Sequence, residues 1–142
     1  MSLNKALYSS KSCEWSTPDD IFAQLNAEYG PFTLDPCATS ENARAPEFYT
    51  KEDNGLLKEW SGRVFMNPPY GREIYQWMEK AWNSWTKCNI IVCLVPSRTD
   101  TAWWHDFVEG CANSSVTFIR GRLKFGGGKS NAPFPSAIVV YR

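Results

Sequence analysis

No stretch of the sequence is long and apolar enough to cross a bilayer, for which a helix needs about 20 apolar residues. The first residues lack the charged-then-apolar pattern of a secretion signal. Both absences point to a soluble, cytoplasmic protein. Cysteine is present but unpatterned. Cys13, Cys37, Cys88, Cys93 and Cys111 are odd in number and form no Cys-x-x-Cys pair, which argues against a zinc site and against a disulfide framework. Histidine is nearly missing: His105 stands alone, and no metal is expected. Net charge is zero, so overall basicity does not mark a nucleic-acid partner.

What is present is unevenly spread. Residues 1–60 carry ten acids and five bases, and residues 61–142 carry five acids and ten bases. From Arg120 onward there are five bases and no acid, an edge suited to phosphates. The 142 residues fit one domain, with residues 1–14 read as a loose N-terminal arm and 15–142 as the folded unit. A separate target-recognition domain is not expected within that length.

Helix and strand signals alternate. Ser16 or Thr17 suits an N-cap, Pro18 suits a first turn, Ile21, Phe22, Leu25 and Tyr29 give an apolar face, and Gly30 ends the helix. Phe32–Leu34 and Arg63–Met66 read as short strands. Residues 72–86 read as a helix, with Ile74, Trp77, Met78, Ala81, Trp82 and Trp85 recurring at spacings of three and four. Ile90–Val95 is an unbroken apolar run, as in a strand covered on both faces. A second helix, capped by Thr99 or Asp100, runs to about Val108. Val116–Ile119, Leu123–Phe125 and Ala137–Tyr141 complete the strands. The pattern predicts an α/β fold of Rossmann-like type. Its sheet is mostly parallel and closes with an antiparallel C-terminal strand pair. Ligands of such sheets bind beyond the carboxyl ends of the strands, where two prolyl motifs fall.

The sharper motif is Asn67-Pro68-Pro69-Tyr70, directly after a strand. An amino group on an aromatic ring is a poor nucleophile because its lone pair is delocalised. Two acceptors around its hydrogens return density to the nitrogen. The Asn67 side-chain oxygen is one, and the Pro68 carbonyl is the natural second. Consecutive prolines hold the loop rigid before substrate arrives, and Tyr70 offers a flat face. A rigid turn after a strand is the plain structural alternative.

Asn67-Pro68-Pro69-Tyr70-Gly71 resembles the catalytic motif of amino-methyltransferases acting on adenine. Further segments resemble the phage-encoded DNA N6-adenine methyltransferase (Dam-like) family: Trp15-Ser16-Thr17-Pro18, Leu34 to Ala38, Gly55-Leu56 leading to Trp60, Pro96 to Trp103, Gly121 to Phe125, and Pro135-Ser136. The resemblance spans roughly residues 15–141. It implies methyl transfer from S-adenosyl-L-methionine to the N6 amino group of adenine in DNA, with Asn67, Pro68, Pro69 and Tyr70 catalytic and Tyr70 stacked on a flipped base. It further implies that Asp35, Pro36, Cys37 and Ala38 bind the amino-acid end of the cofactor. Thr17 and Pro18 would belong to the N-terminal cofactor motif, and Asp53 would receive the cofactor adenine.

Each cofactor segment also has a local explanation as a turn or a helix start; their order around Asn67–Tyr70 ties them together. The loop after the first strand departs from the pattern by having no glycine between Cys37 and Asn42. Arg98, Arg122, Lys124 and Lys129 are the expected phosphate contacts, and Phe125 or Phe134 is expected to hold the flipped base. The same prolyl motif resembles that of enzymes methylating RNA bases or protein glutamine. A non-catalytic nucleic-acid-binding module of this fold is the alternative from another class.

Overall fold

The computed structural model describes residues 16–125 and 131–142. The expected N-terminal arm, Trp15 and Lys129 lie outside the described residues. Among the described residues, three α-helices and six strands follow in the order α1 (Asp19–Tyr29), β1 (Leu34–Asp35), β2 (Glu47–Phe48), β3 (Gly62–Met66), α2 (Ile74–Ser84), β4 (Cys88–Pro96), α3 (Ala102–Phe107), β5 (Ser114–Phe118) and β6 (Ser136–Tyr141). Short 3-10 turns occupy Gly55–Leu57 and Trp85–Lys87.

The six strands form one sheet in the order β2-β1-β3-β4-β6-β5. Strands β2, β1, β3 and β4 are mutually parallel, while β6 runs antiparallel to both its neighbours, β4 and β5. The expected antiparallel closing pair is therefore present, with β6 lying inside the sheet. Strand β4 is buried from Ile90 to Pro96, which explains why its sequence does not alternate.

Side chains of opposite parity feed two cores. On one face, Val64, Met66, Ile91, Cys93, Val95, Val139 and Tyr141 meet Ile74, Trp77, Met78 and Ala81 of α2 and Trp103, Trp104 and Phe107 of α3. On the other, Phe65, Val92, Leu94, Ile138 and Val140 meet Leu25 of α1 with Leu123, Phe125 and Phe134. Phe22 edges onto Phe65 at 5.3 Å and seats α1.

Local departures have local causes. Pro18 takes the N-cap position of α1 without a side-chain cap, and the hydroxyl of Thr17 bonds elsewhere. Helix α3 begins at Ala102, later than expected, because Thr101 turns back and its hydroxyl donates to the Arg98 carbonyl at 2.6 Å. Trp82 is exposed on α2, at the rim beside Phe107. Leu123–Phe125 does not join the sheet: its apolar residues are buried, but from a loop. The polar stretch 39–60, unassigned from sequence, supplies β2 and the turn at Gly55. No helix among the described residues is long and apolar enough to cross a membrane.

Candidate active site

Because β1 to β4 point one way, their carboxyl ends share an edge. Asp35, Phe48, Met66 and Pro96 are the last residues of those strands. Ser136, the first residue of the reversed β6, pairs with Pro96, so the loop before β6 reaches the same edge. The segments 36–38, 49–54, 67–70, 97–98 and 132–135 thus converge where ligands bind in open α/β sheets.

Asn67 is the first residue beyond β3. Its side-chain nitrogen donates to Thr17 Oγ1 at 3.1 Å, and its side-chain oxygen accepts from the Tyr70 hydroxyl at 3.2 Å. Pro68 is buried and Pro69 exposed. Neither has an N–H, so the turn presents carbonyls alone. Gly71 leaves the motif at φ +109°, a conformation open to glycine at little cost, and its carbonyl accepts from Ile74 N as the chain turns toward α2. The Tyr70 ring meets Phe134 edge-on at 5.0 Å and Phe125 at 6.1 Å. Burial pushes the Tyr70 phenol well above its ordinary range, so it remains a hydrogen-bond donor at neutral pH.

Asp35 closes β1. Its carboxylate is 4% exposed and accepts from Arg44 N at 3.0 Å and Cys37 N at 3.4 Å. Burial raises its pKa to about 7, against the opposing pull of those two donors. The Arg44 guanidinium, whose charge also lowers that pKa, donates to the Thr17 carbonyl and to Asp19 at 2.6 Å, and lies over the Phe22 ring at 5.2 Å. Burial also holds the Cys37 thiol protonated, which removes it as a nucleophile. Ala38 is buried, and its N–H donates to the Tyr49 carbonyl, tying this loop to the end of β2.

The missing glycine after β1 is answered from another segment. Gly55 packs on the Pro36 carbonyl so closely that a Cβ there would fall 2.2 Å from the oxygen. This approach brings the 50–55 turn against the Asp35 loop. Asp53 lies in that turn, exposed, and one carboxylate oxygen accepts from Thr50 N at 2.9 Å and Thr50 Oγ1 at 3.1 Å. These bonds lower its pKa.

Arg98, Arg122 and Lys124 are exposed, and none belongs to an ion pair among the described residues. Arg98 follows β4 and stands over the Phe134 ring at 5.9 Å; Arg122 donates to the Ala132 carbonyl at 3.5 Å. Phe125 and Phe134 are 3% and 6% exposed. They pack nearly perpendicular to the Tyr70 ring. His105 is exposed on α3 and faces Glu109 at 2.7 Å. No cluster of three or more metal-ligating side chains occurs among the described residues.

Sequence reasoning missed two members of this arrangement. Arg44 joins the Asp35 loop to the Thr17 segment, and Asn42 joins the same loop to Ser16 at 3.2 Å. The available signal was Arg44 itself, the lone base between Lys11 and Lys51 in an acid-rich region.

A family model described as DNA N-6-adenine-methyltransferase (Dam) matches residues 5–139. The DNA N-6-adenine-methyltransferase of Escherichia phage T1 is 37% identical over 102 residues, covering 69% of this chain and 42% of the phage protein. That of Haemophilus phage HP1 (strain HP1c1) is 28% identical over 113 residues, covering 78% of this chain and 65% of the phage protein. The chain thus spans less than two thirds of either relative's length. The family match runs through every segment of the strand-end cluster, from Thr17 to the loop before β6, and the chain belongs to the DNA N-6-adenine-methyltransferase (Dam) family.

Proposed function

We propose that the protein transfers a methyl group from S-adenosyl-L-methionine to the N6 amino group of adenine in DNA. The observation that carries this reading is the Asn67–Tyr70 turn. An amide oxygen, a neighbouring prolyl carbonyl and an aromatic ring stand together at the carboxyl edge of β3. Asn67 Oδ1 and the Pro68 carbonyl accept the two amino hydrogens of the base. Nitrogen electron density then rises on the side facing the methyl donor. Tyr70 stacks on the base, which must leave the duplex to reach it. The excess proton on nitrogen passes to water after attack, so no general base is required.

The residues suit the donor by their chemistry. Asp35 is a buried carboxylate with two backbone donors and no ion pair among the described residues, a setting that favours a ligand bringing positive charge. Asp35, with Pro36, Cys37 and Ala38, would hold the amino-acid end, Asp53 the adenine amino group, and Thr17 and Pro18 the N-terminal side. When bound, the donor supplies an electrophilic methyl group on a sulfonium. Arg98, Arg122, Lys124 and Lys129 would meet DNA phosphates, and the reaction belongs in the cytoplasm, where DNA and donor coexist.

The deciding experiment incubates the protein with methyl-labelled donor and unmethylated DNA, then digests the DNA to nucleosides. Label in N6-methyladenine nucleoside is expected, and Asn67→Ala should reduce it on the order of a hundredfold while DNA binding holds. Donor binding without labelled DNA would transfer the reading to RNA or protein glutamine. No donor binding would favour a non-catalytic module.

A further inference from the structure

We infer that Thr17 is a positioning residue that helps hold the Asn67 amide with its oxygen toward the substrate. The inference rests on the reading of Asn67 as the acceptor for the target amino group.

The two ends of an asparagine amide are nearly equal in size and opposite in hydrogen-bonding sense, and the terminal torsion is broad and roughly two-fold. One orientation offers an oxygen to the incoming amino group. The other offers a second amino group and repels it. Because the terminal torsion is broad, holding the first orientation needs partners at the strand end. Thr17 is one of them: its hydroxyl oxygen accepts from Asn67 Nδ2 at 3.1 Å, while the amide oxygen accepts from the Tyr70 hydroxyl.

Three features fix Thr17 in turn. Its side chain is 6% exposed. Its carbonyl is gripped by the Arg44 guanidinium, which is itself held by Asp19 and lies over Phe22. Pro18 biases Thr17 to extended backbone and takes the N-cap position without a side-chain bond, which leaves the threonine hydroxyl available for a contact 50 residues away. The sequence Thr-Pro, read locally, is a helix start; in three dimensions it is a brace for the catalytic turn.

The test compares Thr17→Val, which keeps shape and loses the hydroxyl, with Thr17→Ser, which keeps it. With labelled donor and DNA, Thr17→Val should lose about tenfold in kcat, the equivalent of one hydrogen bond. The loss should fall on kcat more than on KM for the donor, and Thr17→Ser should recover most of the rate. Unchanged kcat in Thr17→Val, or a loss confined to donor KM, would overturn the inference by assigning Thr17 to donor binding alone. A second readout needs no turnover: the side-chain amide signals of Asn67 in 15N-labelled protein. One Nδ2 proton should be protected from exchange in the wild type, shift in Thr17→Val and return in Thr17→Ser. An unprotected Nδ2 proton in the wild type would refute the brace even if the valine variant does not fold. Wild-type protein that methylates no adenine, yet shows the protected proton, would refute the functional reading and leave the brace standing.

Discussion

The Tyr70 hydroxyl donates to the side-chain oxygen of Asn67 across 3.2 Å. The oxygen assigned to the target amine is thus engaged from within the motif, and an arriving base must share it through its second lone pair or replace the tyrosine hydroxyl there. Ring and hydroxyl therefore have separable duties. Tyr70→Phe keeps the aromatic face and should stay within about tenfold of wild-type kcat/KM, since it exchanges one hydrogen bond. Tyr70→Ala removes stacking worth about 1–3 kcal/mol per base and should lose roughly five- to 150-fold more. Equal rates for the two variants in a methylation assay would show that Tyr70 does not face the base.

Asp35 binds its proton more tightly in the folded protein, with a pKa of about 7 against an ordinary 3.8. Between those values the native state holds more protons than the unfolded chain, so its contribution to stability falls as pH rises through that window and is lowest above 7. In melting curves from pH 5 to 8, the Tm difference between Asp35→Asn and wild type should shift in favour of the variant as pH rises. Donor binding should show the mirror effect. A cationic ligand beside Asp35 needs the ionised carboxylate, so affinity should drop about tenfold from pH 8 to 6, and Asp35→Asn should flatten that slope in calorimetry.

Gly55→Ala tests the close approach to Pro36. A Cβ placed 2.2 Å from the Pro36 carbonyl forces the two loops apart, with an overpacking cost of about 1–3 kcal/mol. A lower Tm and weaker donor binding are expected together. A Tm fall with unchanged donor affinity would separate this approach from the cofactor loop.

Arg98 and Lys124 are exposed and outside ion pairs among the described residues. If both meet phosphates, Arg98→Glu with Lys124→Glu should weaken DNA binding. The slope of log affinity against log salt should become shallower by about 0.9 for each phosphate no longer neutralised. An unchanged slope, measured by fluorescence anisotropy from about 50 to 200 mM salt, would move the DNA path elsewhere.

Strands β3 and β4, helix α2 and the Asn67–Tyr70 turn were legible in the sequence because each is set by local physics. Continuous apolar runs mark covered strands, a three-and-four spacing marks α2, and paired prolines stop β3. The rest depends on distant parts of the chain. Strand β2 has two residues, Glu47 exposed and Phe48 half-buried, too few to show a period. Leu123-Lys124-Phe125 alternates like a strand, yet its apolar pair is buried from a loop, with Phe125 against Tyr70. Thr17 already had a sufficient local reason to precede a helix, and nothing nearby in sequence could show that its hydroxyl serves Asn67.

Strand β6 lies between β4 and β5, and among the described residues β5 joins the sheet through β6 alone. Pro96 pairs with Ser136 and Ile91 with Tyr141, so this ladder closes loops of 40 and 50 residues. Such long-range pairing is slow to form. During synthesis, β5 has no place in the sheet until β6 emerges, and Phe134, which walls Tyr70, reaches the strand-end edge together with that strand. The half of the cleft built from β1 and β3 can assemble while the chain is still being made, whereas its aromatic wall must wait for β6.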